Sequence, residues 1–261
     1  MSELAGDDRR RRPERSAAAA ESGGFGLSVV IPAYNEARRL PGCLKQTIDY
    51  LAGHPRWLPA EILVVDDGSS DGTGAAVKAF PNRRDISLAV WRHPENRGKG
   101  AAVRTGFAAS RGAAVLLSDA DLAAPIEELD RLARHFDPGT VVVGSRAVDR
   151  RLIAVRQPWY RDFMGRTFNL MVRAAVLPGI RDTQCGFKLF PGELARAVAA
   201  AQRLDGFAYD VEILLLARRW GYEVREVGVL WRHVEASRVS PTRHSIEMFR
   251  DLVLLALQRW R

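Results

Sequence analysis

The first half of the chain alternates short apolar runs with stretches of helical spacing. Leu27 to Ile31 is a β-branched run closed by Pro32, and a helical pattern follows from about Glu36 to Leu51. Ile62 to Val65 is the next run, with the turn residues Gly68, Ser69, Ser70 and Gly72 and a helix after them. Ile86 to Trp91, Val115 to Leu117 and Val141 to Val143 repeat the unit, with a helix over Gly98 to Ser110. Strands separated by helices of about 10–15 residues predict βαβ units and a mostly parallel sheet. In such sheets ligands bind beyond the carboxyl ends of the strands. Each predicted strand end here is polar, acidic or glycine-bearing: Tyr34-Asn35-Glu36, Asp66-Asp67, Asn96-Arg97-Gly98, Asp119-Ala120-Asp121 and Ser145-Arg146.

The second half is less regular. Residues 156–177 read as a helix with apolar positions scattered among arginines, and 245–260 as a closing amphipathic helix. Between them, Phe187 to Phe190 and Glu223 to Leu230 read as strands, and Gly192 to Ala201 and Val211 to Trp220 as helices. Residues 1–25 are rich in Arg, Ala and Gly with almost no large apolar residue, which predicts a disordered tail before a single α/β domain over 26–261. At 261 residues and 47% hydrophobic, the chain can bury a large core, so a fibrous or mainly disordered protein is excluded.

The net charge of +8 changes the picture only through its location. Five arginines in the tail are matched by five acids, whereas seven arginines between Arg146 and Arg173 face two acids, Asp149 and Asp162. That segment suits a phosphorylated or membrane-surface partner. A neutral tail and the lack of a recognition motif argue against nucleic acid. Cys43 and Cys185 lie far apart in no metal-type spacing, so neither a disulfide framework nor a zinc site is expected, and a reducing cytoplasm is the simplest compartment. No run approaches the ~18 apolar residues of a membrane span.

Asp119-Ala120-Asp121 is the sharpest local motif. Two carboxylates one residue apart beyond a strand can reach one divalent cation, and hard oxygen ligands suit Mg²⁺ or Mn²⁺. An acidic turn would use the same residues. Asp66-Asp67-Gly68-Ser69 can accept hydrogen bonds from a ribose or a base N–H, or serve as an Asx turn. Lys78 stands where a calcium loop needs its bidentate Glu, which rejects calcium. Asn96-Arg97-Gly98-Lys99-Gly100 opens a helix whose free N–H groups and dipole favour an anion. Its spacing fits neither a P-loop nor a dinucleotide fingerprint.

Taken in order, Val30-Ile-Pro-Ala-Tyr-Asn-Glu36, Val64-Val-Asp-Asp-Gly-Ser69, Asn96-Arg-Gly-Lys-Gly100 and Asp119-Ala-Asp121 resemble the inverting family 2 glycosyltransferases, which have the GT-A fold. Gly179-Ile-Arg-Asp-Thr-Gln-Cys-Gly-Phe-Lys-Leu-Phe190 and Phe207-Ala-Tyr-Asp-Val-Glu-Ile213 are similar to the dolichyl-phosphate β-glucosyltransferase branch, related to the polyprenyl-phosphate mannose synthases. The resemblance spans roughly residues 26–255. It implies that Pro32, Ala33, Tyr34, Glu36 and Ala120 line the nucleotide-sugar pocket and that Asp66 or Asp67 contacts the uracil. It further implies that Lys99 lies near the nucleotide sugar, that Asp119 and Asp121 hold the metal, and that Arg146 and Arg161 bind the acceptor phosphate. Ala123 and Gly165 replace a Gln and a Ser of the mannose synthases, which favours the glucosyl branch.

The expected reaction is inverting transfer of a hexose from a UDP-sugar, UDP-glucose first, to a polyprenyl or dolichyl phosphate. N-acetylhexosamine or mannose donors and a soluble hydroxyl acceptor are the alternatives. A hydroxyl acceptor needs a carboxylate base, whereas a lipid phosphate is already ionised near pH 7, with a second pKa of about 6. Asp210 and Glu212 therefore stay as helix or acceptor-site residues rather than as a base. The expected setting is cytoplasmic and peripheral on the inner face of a membrane, reached through the 156–177 and 245–260 helices.

Overall fold

The computed structural model describes residues 25–81, 83–155, 158–233 and 241–259. The tail predicted over 1–25 lies outside the described residues, except for Phe25. A seven-stranded sheet in the order β3-β2-β1-β4-β7-β5-β8 organises the chain. Its strands are β1 (Leu27–Ala33), β2 (Ala60–Asp66), β3 (Ile86–Arg92), β4 (Ala114–Leu117), β5 (Thr140–Ser145), β7 (Lys188–Pro191) and β8 (Glu223–Gly228). Two short strands, β6 (Ile153–Val155) and β9 (Trp231–Arg232), pair in parallel beside it.

Helices cover both faces, so the central strands are buried throughout, which is why they read as continuous apolar runs instead of alternating ones. Every residue of β1, β2, β4 and β5 is buried. Successive side chains still divide between two cores. Val30, Val115 and Leu117 join Phe107 of α3 (Lys99–Ala109), Leu194 of α6 (Gly192–Ala201) and Val211 of α7 (Tyr209–Arg219) on one face. Val29, Ile31 and Leu116 join Leu44 of α1 (Leu40–Ala52) and Leu129 of α4 (Leu129–Ala133) on the other. The short α2 (Thr73–Lys78) follows β2.

β1, β2 and β3 pair in parallel, as do β1 with β4 and β5 with β8. β7 is antiparallel to both its neighbours, β4 and β5. Its first residue, Lys188, therefore stands beside Leu117 and Val143, at the rim formed by the carboxyl ends of the other strands. Segments from both halves of the chain meet there.

The two amphipathic helices are α5 (Trp159–Ala175) and α8 (Pro241–Arg259), somewhat displaced from the expected 156–177 and 245–260. They contact each other. Trp159, Phe163 and Leu170 on α5, and Phe249, Val253, Leu254 and Leu257 on α8, are exposed. Among the described residues no helix is long and apolar enough to cross a membrane.

At the opposite rim a buried carboxylate ties strands and helix together. Ser28 and Glu61 are partners across β1 and β2. Glu61 accepts from Ser28 Oγ at 2.6 Å, from the Arg111 N–H at 2.6 Å and from the Arg111 guanidinium at 2.8 and 3.0 Å.

Candidate active site

The loop after β1 is fastened to the loop after β2. Asn35 takes a left-handed conformation (φ 55°), its N–H donates to Ser69 Oγ at 2.8 Å, and its Oδ1 accepts from the Ser70 N–H at 2.9 Å. The Glu36 N–H donates to Thr73 Oγ1 at 2.8 Å. These bonds set Pro32, Ala33, Tyr34 and Glu36 along the wall of a cavity of about 1220 Å³ at the sheet rim. The Glu36 carboxylate is forked by Arg39, at 2.7 and 2.9 Å.

The paired aspartates at the end of β2 divide their work, because adjacent residues leave a strand in opposite directions. Asp67 lines the cavity, and Asp66 does not. Asp66 is buried under its own turn, where Oδ1 accepts from the Ser69 N–H at 2.9 Å. Asp67 accepts from His93 Nδ1 at 2.6 Å and from the N–H groups of Arg97 and Gly98 at 3.0 and 2.8 Å.

This corrects the expectation of a free anion site at the start of α3. The anion there is the Asp67 carboxylate, which also meets the favourable end of the helix dipole. The N–H groups of Gly100 and Ala101 donate to the Asp205 carbonyl at 2.8 and 3.3 Å. Gly98 (φ 105°) is needed because a Cβ would run into that same carbonyl.

Lys99 points the other way and pairs with Asp119, Nζ to Oδ1 at 2.6 Å. Asp119 and Asp121 belong to a tight turn in which Leu122 is left-handed (φ 47°), its N–H donates to the Asp119 carbonyl at 3.2 Å, and the Ala123 N–H donates to Asp121 Oδ1 at 3.0 Å. Burial works against the charged form of Asp119, but Lys99 outweighs it and holds the carboxyl below its ordinary value. Burial and the charge of Asp119 together push Asp121 above its ordinary value. Two carboxylates thus share one ammonium. A divalent cation would supply the missing charge, and the hard oxygen donors suit Mg²⁺ or Mn²⁺, whose remaining places go to phosphate oxygens and water. Gly186 closes the back of the pair, for a Cβ there would fall within the Asp119 carboxylate.

Two further buried pairs surround these residues. Lys188 is fully buried, donates to the Cys185 carbonyl at 2.6 Å and pairs closely with Asp210. Burial pushes the Asp210 carboxyl up against the opposing pull of Lys188 and Lys99. Glu212, also raised by burial, accepts from the N–H groups of Arg203 and Leu204 at 3.0 and 2.8 Å. It shapes the loop whose carbonyl caps α3.

Arg146, at the end of β5, is forked by Asp182, with Nε and Nη2 each 2.7 Å from a carboxylate oxygen. Glu226 of β8 holds the Asp182 segment in turn, accepting the N–H groups of Arg181 and Asp182 at 2.8 and 2.9 Å. The guanidinium lies 5.4 Å from the Trp231 ring centre. Arg146 lines both the large cavity and a smaller one of about 710 Å³. Arg161 falls within α5, but its side chain lies outside the described residues.

The structure therefore brings Pro32, Ala33, Tyr34, Glu36, Asp67, Lys99, Asp119, Ala120, Asp121, Arg146 and Asp210 to one cavity. Asp182, Gly186, Lys188 and Trp231 were given no role from the sequence. For the first three, the signal was their place in the Gly179–Phe190 segment; Trp231 had none.

Comparison with known proteins bears on this constellation. The family model described as "Glycosyl transferase family 2" matches residues 28–198. The dolichyl-phosphate β-glucosyltransferase of Dictyostelium discoideum is 37% identical over 239 residues, covering 87% of this chain and 72% of that protein. The Homo sapiens enzyme of the same name is 35% identical over 244 residues, covering 89% and 75%. Among solved structures, glucosyl-3-phosphoglycerate synthase from Mycobacterium tuberculosis with Mn²⁺ and UDP-glucose superposes with a TM-score of 0.59 at 19% identity, covering 93% of this chain and 80% of that one. Mannosyl-3-phosphoglycerate synthase from Rubrobacter xylanophilus gives 0.61 at 18% identity, covering 90% and 73%. At such identities the structural likeness establishes the GT-A fold.

Proposed function

Since the chain belongs to glycosyl transferase family 2, we propose that it transfers glucose from UDP-glucose to the phosphate of a polyprenyl lipid such as dolichyl phosphate, with inversion. The names of its curated relatives support both the sugar and the acceptor. The observation that carries the reading is how the charges at the cavity are already committed. Asp210, which lines the cavity, is tied to Lys188, and Glu212 does not line it and is held by backbone N–H groups, so neither is placed to deprotonate a hydroxyl. A phosphate acceptor needs no base, because its oxygen is already anionic near neutral pH.

In this reading Pro32, Ala33, Tyr34, Glu36 and Ala120 form the nucleotide pocket, with Asp67, not Asp66, facing the uracil. Lys99 and the acid pair face the diphosphate. Asp119 and Asp121 would hold Mg²⁺ or Mn²⁺, which when bound would supply Lewis-acid neutralisation of charge on the departing UDP, a contribution of several kcal/mol. With Nε and Nη2 on Asp182, Arg146 has no Nη1 partner among the described residues and orients the acceptor phosphate with Arg161. A phosphate oxygen attacks the anomeric carbon from the face opposite UDP: the new C–O bond forms, the old one breaks and UDP carries off the electron pair. The exposed apolar residues of α5 and α8 bring a peripheral protein to the membrane that holds the lipid.

The test is organic-phase label after incubation with Mn²⁺, polyprenyl phosphate and a panel of labelled sugar nucleotides. Label from UDP-glucose alone, lost in Asp121→Ala, is the expected result. Label from a different donor would reassign the sugar. No lipid label with intact UDP binding would refute the lipid acceptor and direct the search to soluble hydroxyls.

A further inference from the structure

The smaller cavity is lined by five arginines, Arg146, Arg150, Arg166, Arg173 and Arg181, and by two carboxylates, Asp162 and Asp182. The carboxylates are already shared out. Asp182 forks Arg146, and Asp162 pairs with Arg150 at 3.3 Å and Arg166 at 2.7 Å. Among the described residues the guanidinium groups of Arg173 and Arg181 have no hydrogen-bond or ion-pair partner, and Arg173 Nε is buried without an acceptor. Burying an uncompensated cationic donor is unfavourable, so the buried Nε of the half-buried Arg173, with the exposed Arg181 at the same cavity, calls for an anion.

The position of these two arginines sets the site apart from the reacting centre. Arg146, Gly165 and Trp231 line both cavities, whereas Arg173 and Arg181 line the smaller one alone. Asp119, Asp121 and Lys99 line only the larger. We propose that the smaller cavity is a second anion site, which uses Arg173 and Arg181 to bind a phosphate group other than the one that is glycosylated. The inference takes from the functional reading only that the reacting phosphate occupies the larger cavity. Planar guanidinium forks match phosphate oxygens in pairs. Trp159, 81% exposed on the apolar side of α5, stands among the lining residues. The phosphate of a membrane lipid headgroup and free inorganic phosphate share the required chemistry.

The test compares Arg173→Gln/Arg181→Gln with Arg150→Gln/Arg166→Gln, two double variants that lose the same charge. One arm measures sedimentation with phosphatidylcholine vesicles containing phosphatidylglycerol. The other measures thermal stabilisation by inorganic phosphate against chloride at equal ionic strength. In at least one arm, Arg173→Gln/Arg181→Gln is expected to weaken binding about tenfold or more while Arg150→Gln/Arg166→Gln keeps most of it. An effect confined to vesicles assigns the site to a lipid headgroup, and one in the phosphate arm assigns it to free phosphate. Equal losses in both double variants, or none in either, would overturn the proposal. Arg173→Lys/Arg181→Lys, which keeps the charge and loses the forks, gives an intermediate loss and covers a failure of the first variant to fold. UDP binding is measured alongside and stays unchanged, so failure of the anion site reads differently from failure of the donor site.

Discussion

The Asp119 carboxylate occupies the space that a side chain on Gly186 would need. Gly186→Ala is therefore expected to displace it and lower turnover about a hundredfold or more, the cost of losing one charge-stabilising group. Labelled product measures the loss, and circular dichroism verifies the fold. A second prediction concerns pH. Metal ligation needs Asp121 as the carboxylate, and burial beside Asp119 raises its pKa above the ordinary 3.8. Mn²⁺ affinity is thus full well above that raised value and falls as the pH drops through it. The fall begins at a higher pH than an ordinary aspartate would give, and Mn²⁺ titrations monitored by electron paramagnetic resonance locate it. The acid pair and Lys99 were legible as residues because their spacing and order are local. Which of Asp66 and Asp67 faces the cavity was not, since the strand's alternation decides that one of them does and the packed sheet decides which. Gly186 was readable as a motif letter only, its purpose being a neighbour far away in the chain.

Elements show the same division. The βαβ half was predicted with strand ends within a residue or two, because fully buried parallel strands leave unbroken apolar runs. The first helix begins at Leu40 instead of Glu36, for residues 36–39 form the turn that Arg39 and Glu36 brace. β6 and β9 are too short to carry a period, and the direction of β7 is invisible because a four-residue buried strand reads alike both ways. The amino-terminal rim of the sheet offers a prediction separate from catalysis. Glu61 is 1% exposed and bound by Ser28 and Arg111. Glu61→Gln removes the charge that holds Arg111 and is expected to cost about 1–3 kcal/mol in urea unfolding. The KM for UDP-glucose should stay as it was, since that rim lies across the sheet from the cavity.

At the scale of the whole molecule, α5 and α8 turn exposed aromatic and aliphatic residues outward from adjoining positions. Leu170→Ser with Leu257→Ser, at two exposed positions that line neither cavity, is expected to weaken binding to neutral phosphatidylcholine vesicles by about tenfold or more, from some 0.8 kcal/mol per CH₂ no longer buried in lipid. Turnover of a short-chain, water-soluble prenyl phosphate should change little, which separates membrane contact from chemistry. The topology has a consequence of another kind. β7 lies in the middle of the sheet, yet it is made after both strands that flank it. Until Lys188–Pro191 inserts, the block β3-β2-β1-β4 and the strand β5 are unjoined, and β8, which pairs with β5, is made later still. The same insertion sets Gly186 behind Asp119 and puts Lys188 where Asp210 of α7, made later, pairs with it. Closing the seam is therefore a condition for completing the site, which also waits for Asp210 of α7 and Trp231 of β9.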